Sequence, residues 1–334
     1  MTGPTAILGG GSWGTALSIL LAGRGAPVRL WAFEPEEAQR MEAERENATF
    51  LPGFRFPPTL HVMYRIEEAL EEAEAIVLAV PSTVLRGVVE QIDPARVTGR
   101  DVVVATKGLE EESGKRMSEV VRERLPEAPI AVLAGPSLAR EVAAGLPASV
   151  LSASADPACA ARVRERFHGP FFRVYESSDV AGVEVGTALK NVIALAAGIA
   201  DGMKLGENAK GALLTRGLAE ITRLGVALGA RRETFLGLAG VGDLVTTCSS
   251  PLSRNRSLGE MLGRGIPFRE AAARMTQVAE GVPTTRSAWR LSRRLSIEMP
   301  ITEQVHQVLF EGLDPVAGLR ALMGRPPRAE GEEG

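Results

Sequence analysis

Apolar residues form short, nearly continuous runs in the first half of the chain. The runs alternate with segments of helical spacing and occupy residues 5–8, 28–31, 75–80, 101–106, 130–134, 148–153 and 171–175. Such runs are typical of strands covered on both faces, and strands separated by helices form parallel sheets through crossover connections. We therefore expect residues 1–179 to form an α/β domain built on a parallel sheet.

The pattern changes after about residue 179. Residues 180–228 have helical spacing without a strand signal, and further helices are expected at residues 268–275, 284–295 and 302–310. A length of 334 residues agrees with two domains. We expect a mainly α-helical second domain over residues 180–324 and a disordered tail over residues 325–334.

Composition narrows the function classes. The net charge of −3 does not favour nucleic-acid binding, and two cysteines cannot form a disulfide framework. The three histidines show no metal-ligand spacing, so no metal is expected. We see neither a signal peptide nor an apolar run of the ~18 residues that a membrane span needs. We expect a cytoplasmic protein.

A glycine-rich motif follows the first apolar run and opens a helix. Residues 9–14 read Gly-Gly-Gly-Ser-Trp-Gly and match G-x-G-x-x-G, whose glycines let the backbone approach a pyrophosphate at a helix N-terminus. Glu34 lies where an acid binds the ribose hydroxyls, and neighbouring Phe33 is placed to stack near the adenine. The alternative is a plain glycine-rich turn between a strand and a helix.

Only five of the 38 basic residues are lysines, and two of them stand in unusual places. Lys107 follows the apolar run 101–106, where ligands bind at the carboxyl ends of parallel strands. Lys190, beside the polar Asn191, lies on an apolar helix with no acid at helical spacing. Such a lysine needs a partner, a lowered pKa or a cleft, and it can serve as a general acid or base. The alternatives are a solvated loop lysine for Lys107 and a snorkelling lysine for Lys190.

Two further features indicate anion chemistry. Asp243 is a rare aspartate in a glycine-rich apolar stretch, although aspartate there is also a common turn former. Residues 253–256, Ser-Arg-Asn-Arg, combine an arginine fork with hydroxyl and amide donors that suit a phosphate. A solvated basic loop is the alternative for this segment.

Taken together, these motifs resemble bacterial NAD(P)-dependent glycerol-3-phosphate dehydrogenases. The resemblance covers nearly the whole chain and runs in order through residues 9–14, 47–52 (NATFLP), 79–82, 106–109, 135–137, 188–191, 240–243, 248–250, 253–256 and 279–282. It implies a Rossmann-like parallel-sheet N-terminal domain and a mainly α-helical C-terminal domain. It also implies reversible hydride transfer between NAD or NADP and carbon 2 of glycerol 3-phosphate, which supplies glycerol 3-phosphate for phospholipid synthesis.

The resemblance implies roles for individual residues. Lys190 would be the general base for the alcohol and the acid for the ketone, with Lys107 and Asp243 as its catalytic neighbours. The implied substrate-binding residues are Lys107, Gly135, Ser137, Lys190, Asp243, Ser253, Arg254 and Asn255. The implied cofactor-binding residues, together with those read from the glycine motif, are Gly9, Gly11, Ser12, Trp13, Gly14, Phe33, Glu34, Lys107, Ala139, Arg254, Val278 and Glu280.

The second strand departs from the pattern of similar proteins, which often carry an arginine there that suits the 2′-phosphate of NADP. A carboxylate at Glu34 favours a free ribose hydroxyl, so we expect a reduced preference for NADP, although Arg40 or Arg55 could restore NADP binding.

The partners expected are a phosphorylated small molecule and no nucleic acid; a homodimer stays open.

Two other functions stay open at this point. One is a related two-domain dehydrogenase that acts on a small hydroxy acid, such as a hydroxyisobutyrate- or ketopantoate-type enzyme, because arginine also suits a carboxylate. The other is a nucleotide-sensing binding protein without catalysis, which would have no reason to keep both Lys107 and Lys190.

Overall fold

The computed structural model describes residues 3–275, 277–327 and 329, and these form two compact units. The first unit ends at Glu184 and omits the segment Gly108–Gly114, while the second begins at Val185 and includes that segment. The predicted domain boundary after residue 179 stays a prediction and lies close to this division. The predicted tail, residues 325–334, lies largely outside the described residues.

The strands of the first unit are β1 (Thr5–Leu8), β2 (Val28–Trp31), β3 (Glu46–Asn47), β4 (Leu51–Arg55), β5 (Leu60–Met63), β6 (Ala75–Leu78), β7 (Asp101–Val104), β8 (Ile130–Ala134), β9 (Ala148–Ala153) and β10 (Phe172–Ser177). Eight of them form one sheet with the order β10-β9-β8-β7-β6-β1-β2-β5. Strands β3 and β4 form a separate antiparallel pair. The six inner strands, β1, β2, β6, β7, β8 and β9, coincide with predicted runs or lie within them, because a strand buried on both faces is a continuous apolar run in the sequence.

The sheet is mostly parallel, as predicted, and one pair of its strands departs from that arrangement. Strands β8 and β9 pair antiparallel, with Leu133 opposite Ser152. The helix between them, Ala139–Ala143, has five residues. It rises only about 7 Å, whereas a five-residue strand spans about 16 Å. The chain therefore re-enters the sheet near the edge at which it left, and the strand direction reverses.

Helices cover the sheet of the first unit. They are α1 (Ser12–Ala22), α2 (Pro35–Glu44), α3 (Ile66–Leu70), α4 (Leu85–Glu90), α5 (Met117–Arg124), α6 (Ala139–Ala143) and α7 (Pro157–Phe167). Their apolar faces and the strands bury a common core that includes Ile7, Leu17, Leu30, Val103 and Phe167. This packing holds the carboxyl ends of the central strands at one edge of the sheet.

The second unit is helical, as predicted. Its helices are α8 (Val180–Gly202), α9 (Glu207–Ala227), α10 (Asp243–Ser249), α11 (Arg254–Gly263), α12 (Phe268–Ala273), α13 (Gly281–Leu295), α14 (Pro300–His306) and α15 (Pro315–Met323), with α8 starting just before the division between the units. Within the described residues, α8 alone is long and apolar enough to cross a membrane, and 94% of its most apolar window is buried inside the protein. It is thus packed as a core helix.

Glycines bring α8 and α11 into backbone contact. A Cβ added at Gly198 would lie 2.0 Å from the carbonyl oxygen of Arg256, and one added at Gly259 would lie 2.1 Å from that of Leu195. Gly202 and Gly263 repeat this arrangement one turn later on the two helices. Any larger side chain would force these helices apart, so the four glycines allow α11 to pack closely against the C-terminal half of α8.

Candidate active site

The glycine motif forms a tight loop between β1 and α1. Gly9 has a φ of +131°, and a Cβ added there would lie 2.7 Å from the carbonyl carbon of Ala79. A Cβ on Gly14 would lie 2.0 Å from the carbonyl oxygen of Gly9. Packing therefore requires both glycines.

Gly11 differs from these two glycines because an added Cβ would meet no described atom within 4 Å. It is the N-cap of α1, and Ser12 and Trp13 follow in the first turn. The first N–H groups of a helix have no acceptor within the helix and attract anions. The open space at Gly11 and the helix N-terminus therefore fit the pyrophosphate of a dinucleotide.

The carboxyl end of β2 presents the predicted ribose and adenine residues to solvent. Phe33 is 70% exposed, and its ring packs edge-on against Trp31 at 6.1 Å. Glu34 is exposed at the N-cap position of α2, and its side chain makes no capping hydrogen bond. Both side chains are thus accessible to a bound nucleotide.

The two arginines that could restore NADP binding already have partners. Arg40 donates to Glu37 and to the hydroxyl of Thr49. Arg55 donates to the carbonyl oxygen of Glu44. These contacts use part of the five N–H donors of each guanidinium and restrain the direction in which it points.

Three predicted residues of the first unit meet beyond β7 and β8. The Nζ of Lys107 donates to the carbonyl oxygen of Gly135 at 2.8 Å and lies 3.5 Å from the Oγ of Ser137. Ser137 also donates to the Gly135 carbonyl at 2.9 Å. Ala139, predicted to contact the cofactor, follows as the first residue of α6. The carboxyl ends of these strands therefore carry a cation and a hydroxyl side by side.

Lys190 lies in the second unit as a buried cation with a buried counter-ion. Its Nζ donates to the carboxylate Oδ1 of Asp243 at 2.7 Å and to the Oγ1 of Thr247 at 2.6 Å. Thr247 in turn donates to the same Asp243 oxygen at 3.2 Å. Lys190 is 6% exposed and Asp243 is 1% exposed. Solvent therefore screens this pair little, and two acceptors fix the direction of the ammonium group.

The start of α10 brings these acceptors together. A single π-helical turn, Leu238–Gly242, leads directly into Asp243, and Thr247 follows one turn later on the same face. Cys248 is fully buried beside them, and burial raises the pKa of its thiol to about 12. It is therefore a packed thiol at neutral pH, not a nucleophile.

Amide contacts connect the Lys190 helix to the start of α11. The Nδ2 of Asn255 donates to the Oδ1 of Asn191 at 2.9 Å, and the Oδ1 of Asn255 accepts from the backbone N–H of Gly281 at 2.8 Å. Part of the hydrogen-bonding capacity of Asn255 thus serves the fold, which leaves its second amide proton for a ligand.

Ser253 and Arg254 stand at the N-terminus of α11. The hydroxyl of Ser253 caps the helix by accepting from the N–H of Arg256. Arg254 is exposed and donates to Gln277 at 3.1 Å. Neighbouring atoms partly desolvate its guanidinium and lower its pKa, while the charge of Glu280 opposes that shift. It stays protonated at neutral pH. This group can bind an anion.

The remaining predicted residues separate into two groups. Arg256, part of the basic segment, pairs with Asp201 at 2.7 Å and with Glu260 at 3.4 Å, so the fold uses its charge. Val278 is exposed, and the negative charge of Glu280 lies near enough to Arg254 to raise the pKa of its guanidinium. Val278 and Glu280 thus lie in the same part of the second unit as the arginine with which they were predicted to act.

The comparisons with known proteins agree along the whole chain. The family model "NAD-dependent glycerol-3-phosphate dehydrogenase N-terminus" matches residues 4–160, and "NAD-dependent glycerol-3-phosphate dehydrogenase C-terminus" matches residues 179–320. The chain belongs to the NAD-dependent glycerol-3-phosphate dehydrogenase family. This confirms the predicted family, the two-part fold and the NAD(P) cofactor class.

Individual members of this family are similar over their full length. A Glycerol-3-phosphate dehydrogenase [NAD(P)+] of Geobacter sulfurreducens is 50% identical over 97% of this chain and 98% of its own. A relative of the same name from Chlorobium limicola is 49% identical over 97% and 98%. The crystal structure of glycerol-3-phosphate dehydrogenase from Coxiella burnetii is 43% identical, with a TM-score of 0.94 over 96% of this chain and 99% of that one.

Sequence reasoning missed Thr247, which the structure places against both Lys190 and Asp243. A signal was present, because Thr247 follows Asp243 at the four-residue spacing that puts two side chains on one helix face. Only Asp243 was singled out, since threonine is common in helices and carries no charge.

Proposed function

We propose that this chain catalyses the reversible reduction of dihydroxyacetone phosphate to sn-glycerol 3-phosphate with a nicotinamide cofactor. The observation that carries the proposal is the buried Lys190–Asp243 pair with Thr247, in a chain whose first unit has a dinucleotide-binding glycine loop. A buried ammonium group held by two acceptors is suited to proton transfer, whereas a structural lysine more often extends to the surface.

In the proposed mechanism, Lys190 moves the proton. A nicotinamide dinucleotide held at the glycine loop would supply the hydride for carbon 2. The Nζ of Lys190 donates a proton to the ketone oxygen during reduction and takes it back from the alcohol during oxidation. Asp243 stabilises the ammonium form, and Thr247 holds its direction through the hydrogen bonds at 2.7 and 2.6 Å. Lys107 orients the substrate together with Gly135 and Ser137.

The substrate phosphate binds at the start of α11 in this proposal. Ser253, Arg254 and Asn255 offer a hydroxyl, a guanidinium and an amide at the N-terminus of a ten-residue helix. The helix dipole and the arginine charge both favour an anion there. Arg256 does not take part, because Asp201 and Glu260 hold it.

We also propose that the cofactor is NAD rather than NADP. Glu34 is an exposed carboxylate at the end of β2, and the nearby Arg40 and Arg55 are engaged by Glu37, Thr49 and Glu44. A carboxylate accepts hydrogen bonds from ribose hydroxyls and repels a 2′-phosphate.

In the cell, the enzyme would work in the cytoplasm and supply glycerol 3-phosphate for phospholipid synthesis. Exposed apolar side chains on the second unit, among them Leu236 and Val245, are compatible with a homodimer. Analytical ultracentrifugation of the purified protein measures that state directly.

A substrate panel tests the proposal. Purified protein is assayed for NADH oxidation with dihydroxyacetone phosphate, with dihydroxyacetone and with ketopantoate. We expect rapid turnover with the phosphorylated ketone alone, because the α11 anion site supplies much of the binding energy. Faster turnover with ketopantoate would favour a hydroxy-acid dehydrogenase instead.

A further inference from the structure

Asn47 is a fully buried polar residue beneath the glycine loop. It is 0% exposed and ends the short strand β3, far from the loop in sequence. Its Nδ2 donates to the carbonyl oxygen of Gly10 and to the Oγ1 of Thr15, both at 2.8 Å. Its Oδ1 accepts from the backbone N–H of Phe50 at 2.9 Å. Both polar atoms of the side chain are therefore in use.

The contact with Gly10 acts on the neighbouring N–H group. The carbonyl of Gly10 and the N–H of Gly11 belong to one planar peptide unit, so a hydrogen bond that fixes the carbonyl also fixes the N–H. Gly11 borders the open space at the start of α1. Asn47 thus sets the direction of a backbone donor at the predicted pyrophosphate site.

A second contact holds the other side of Gly11. The turn that Asn47 closes with Phe50 places the carbonyl oxygen of Phe50 against the hydroxyl of Ser12, at 2.8 Å. The turn therefore contacts the loop at Gly10 and at Ser12, the two neighbours of Gly11. Glycine-rich loops are conformationally free, and such contacts reduce that freedom before a ligand binds.

We propose that Asn47 is a positioning residue that holds the glycine loop in its dinucleotide-binding conformation. The role requires a donor towards Gly10 and an acceptor towards Phe50 in one buried side chain, and asparagine supplies both. The proposal rests on the proposed use of a dinucleotide, and NADH binding without substrate tests it separately from the proposed reaction.

The test compares Asn47→Ala with Thr15→Val by calorimetric titration with NADH. Thr15→Val removes one hydrogen bond of Asn47 but leaves the bond to Gly10, so it controls for a general loss of packing. Asn47→Ala removes three hydrogen bonds, of which those with Gly10 and Phe50 hold the loop and its turn, and we expect it to raise the Kd for NADH about tenfold. Thr15→Val should change it by less than about threefold.

Steady-state kinetics supply a second readout. In Asn47→Ala the KM for NADH should rise, while kcat at saturating NADH should stay within about threefold of the wild-type value, since binding and not proton transfer is affected. A lower melting temperature in both variants with unchanged Kd values for NADH would reduce Asn47 to a structural residue and overturn the proposal.

The isosteric variant Asn47→Asp decides the matter if Asn47→Ala does not fold. Aspartate keeps the acceptor for Phe50 but has no donor for Gly10, so NADH binding should again weaken. Titrations at low and high salt separate the loss of the donor to Gly10 from repulsion between the new charge and the pyrophosphate, because salt screens that repulsion. The loss should persist at high salt; wild-type affinity there would contradict the proposal.

Discussion

The glycine loop of the first unit and the lysine cluster of the second unit use different chemical groups: the loop presents backbone groups, and the cluster presents side chains. In the loop, the proposed ligand-binding groups are backbone N–H groups, and Gly9 and Gly14 are needed because side chains would collide with the backbone. In the cluster, the proposed catalytic groups are side chains of Lys190, Asp243 and Thr247, which lie in two helices.

This difference predicts how substitutions affect each region. A backbone site tolerates no added atom where it is packed, and its ligand-binding groups themselves belong to no side chain. The buried ion pair depends on each of its two side chains, because removal of one leaves the other charge buried without a counter-ion. Binding and proton transfer should therefore be separable by mutation.

The largest effect should come from Lys190→Ala. It removes the proposed proton donor and leaves the glycine loop intact, so kcat for dihydroxyacetone phosphate should fall about a thousandfold. The Kd for NADH, measured by titration, should stay within about threefold because the loop is unchanged. An unchanged kcat would show that Lys190 is not the proton donor. Lys204→Ala, on a different part of the second unit, is the control and should leave kcat unchanged.

Two glycine variants sharpen the contrast within the loop. Gly14→Ala places a Cβ 2.0 Å from the carbonyl oxygen of Gly9, so we expect a lower melting temperature without ligand. Gly11→Ala meets nothing within 4 Å and should leave that melting temperature unchanged. It should still weaken NADH binding by about tenfold, because the methyl group enters the space assigned to the pyrophosphate. Normal NADH binding by Gly11→Ala would show that the ligand lies elsewhere.

A smaller change is expected from Glu34→Gln. Loss of the carboxylate should shift the ratio of kcat/KM for NADH over NADPH towards NADPH by about tenfold, because a charge repulsion disappears. Glu36→Gln, an exposed neighbour in the first turn of α2, is the matched control and should leave the ratio unchanged. A wild-type enzyme that already prefers NADPH would contradict the role given to Glu34.

The smallest effect concerns stability and pH. Burial raises the pKa of Glu220 to about 7, although backbone N–H groups of Ile301 and Thr302 favour its charged form. The folded state then holds this proton more tightly than the unfolded state. Its stabilising contribution is complete below the ordinary glutamate pKa, about 4.3, and is lost as the pH rises through about 7.

Thermal denaturation at several pH values measures this contribution. From about pH 5 to about pH 8, the melting temperature of the wild-type protein should fall by about 2–4 °C more than that of Glu220→Gln, which does not titrate. Glu207→Gln, at the exposed start of the same helix, should behave like the wild-type protein. Parallel curves for the wild type and Glu220→Gln would show that Glu220 does not titrate in this range.

The sequence was sufficient for the features that depend on local order. Strands β1 and β2 have their predicted bounds, and the apolar run of β1 ends at Gly9. The glycine motif was recognisable because its residues are adjacent. The reversed direction of β9 was not, since it follows from the length of α6, and short helices have weak signals.

Contacts between distant residues were beyond prediction. Asp243 is 53 positions from Lys190, and no pattern along the chain shows that the two side chains meet. Asn47 lay within a family motif, but its contact with Gly10 appears only when β3 packs beside the loop. Candidate residues could therefore be named from the sequence, whereas the side chains that contact them could be identified only from the folded structure.

Product formation by the purified wild-type protein tests the proposed function most directly. Dihydroxyacetone phosphate and NADH are incubated with the enzyme, and the product is identified by NMR and by a stereospecific assay. We predict one sn-glycerol 3-phosphate formed for each NADH oxidised. NADH binding without oxidation that depends on dihydroxyacetone phosphate would contradict the proposed reaction.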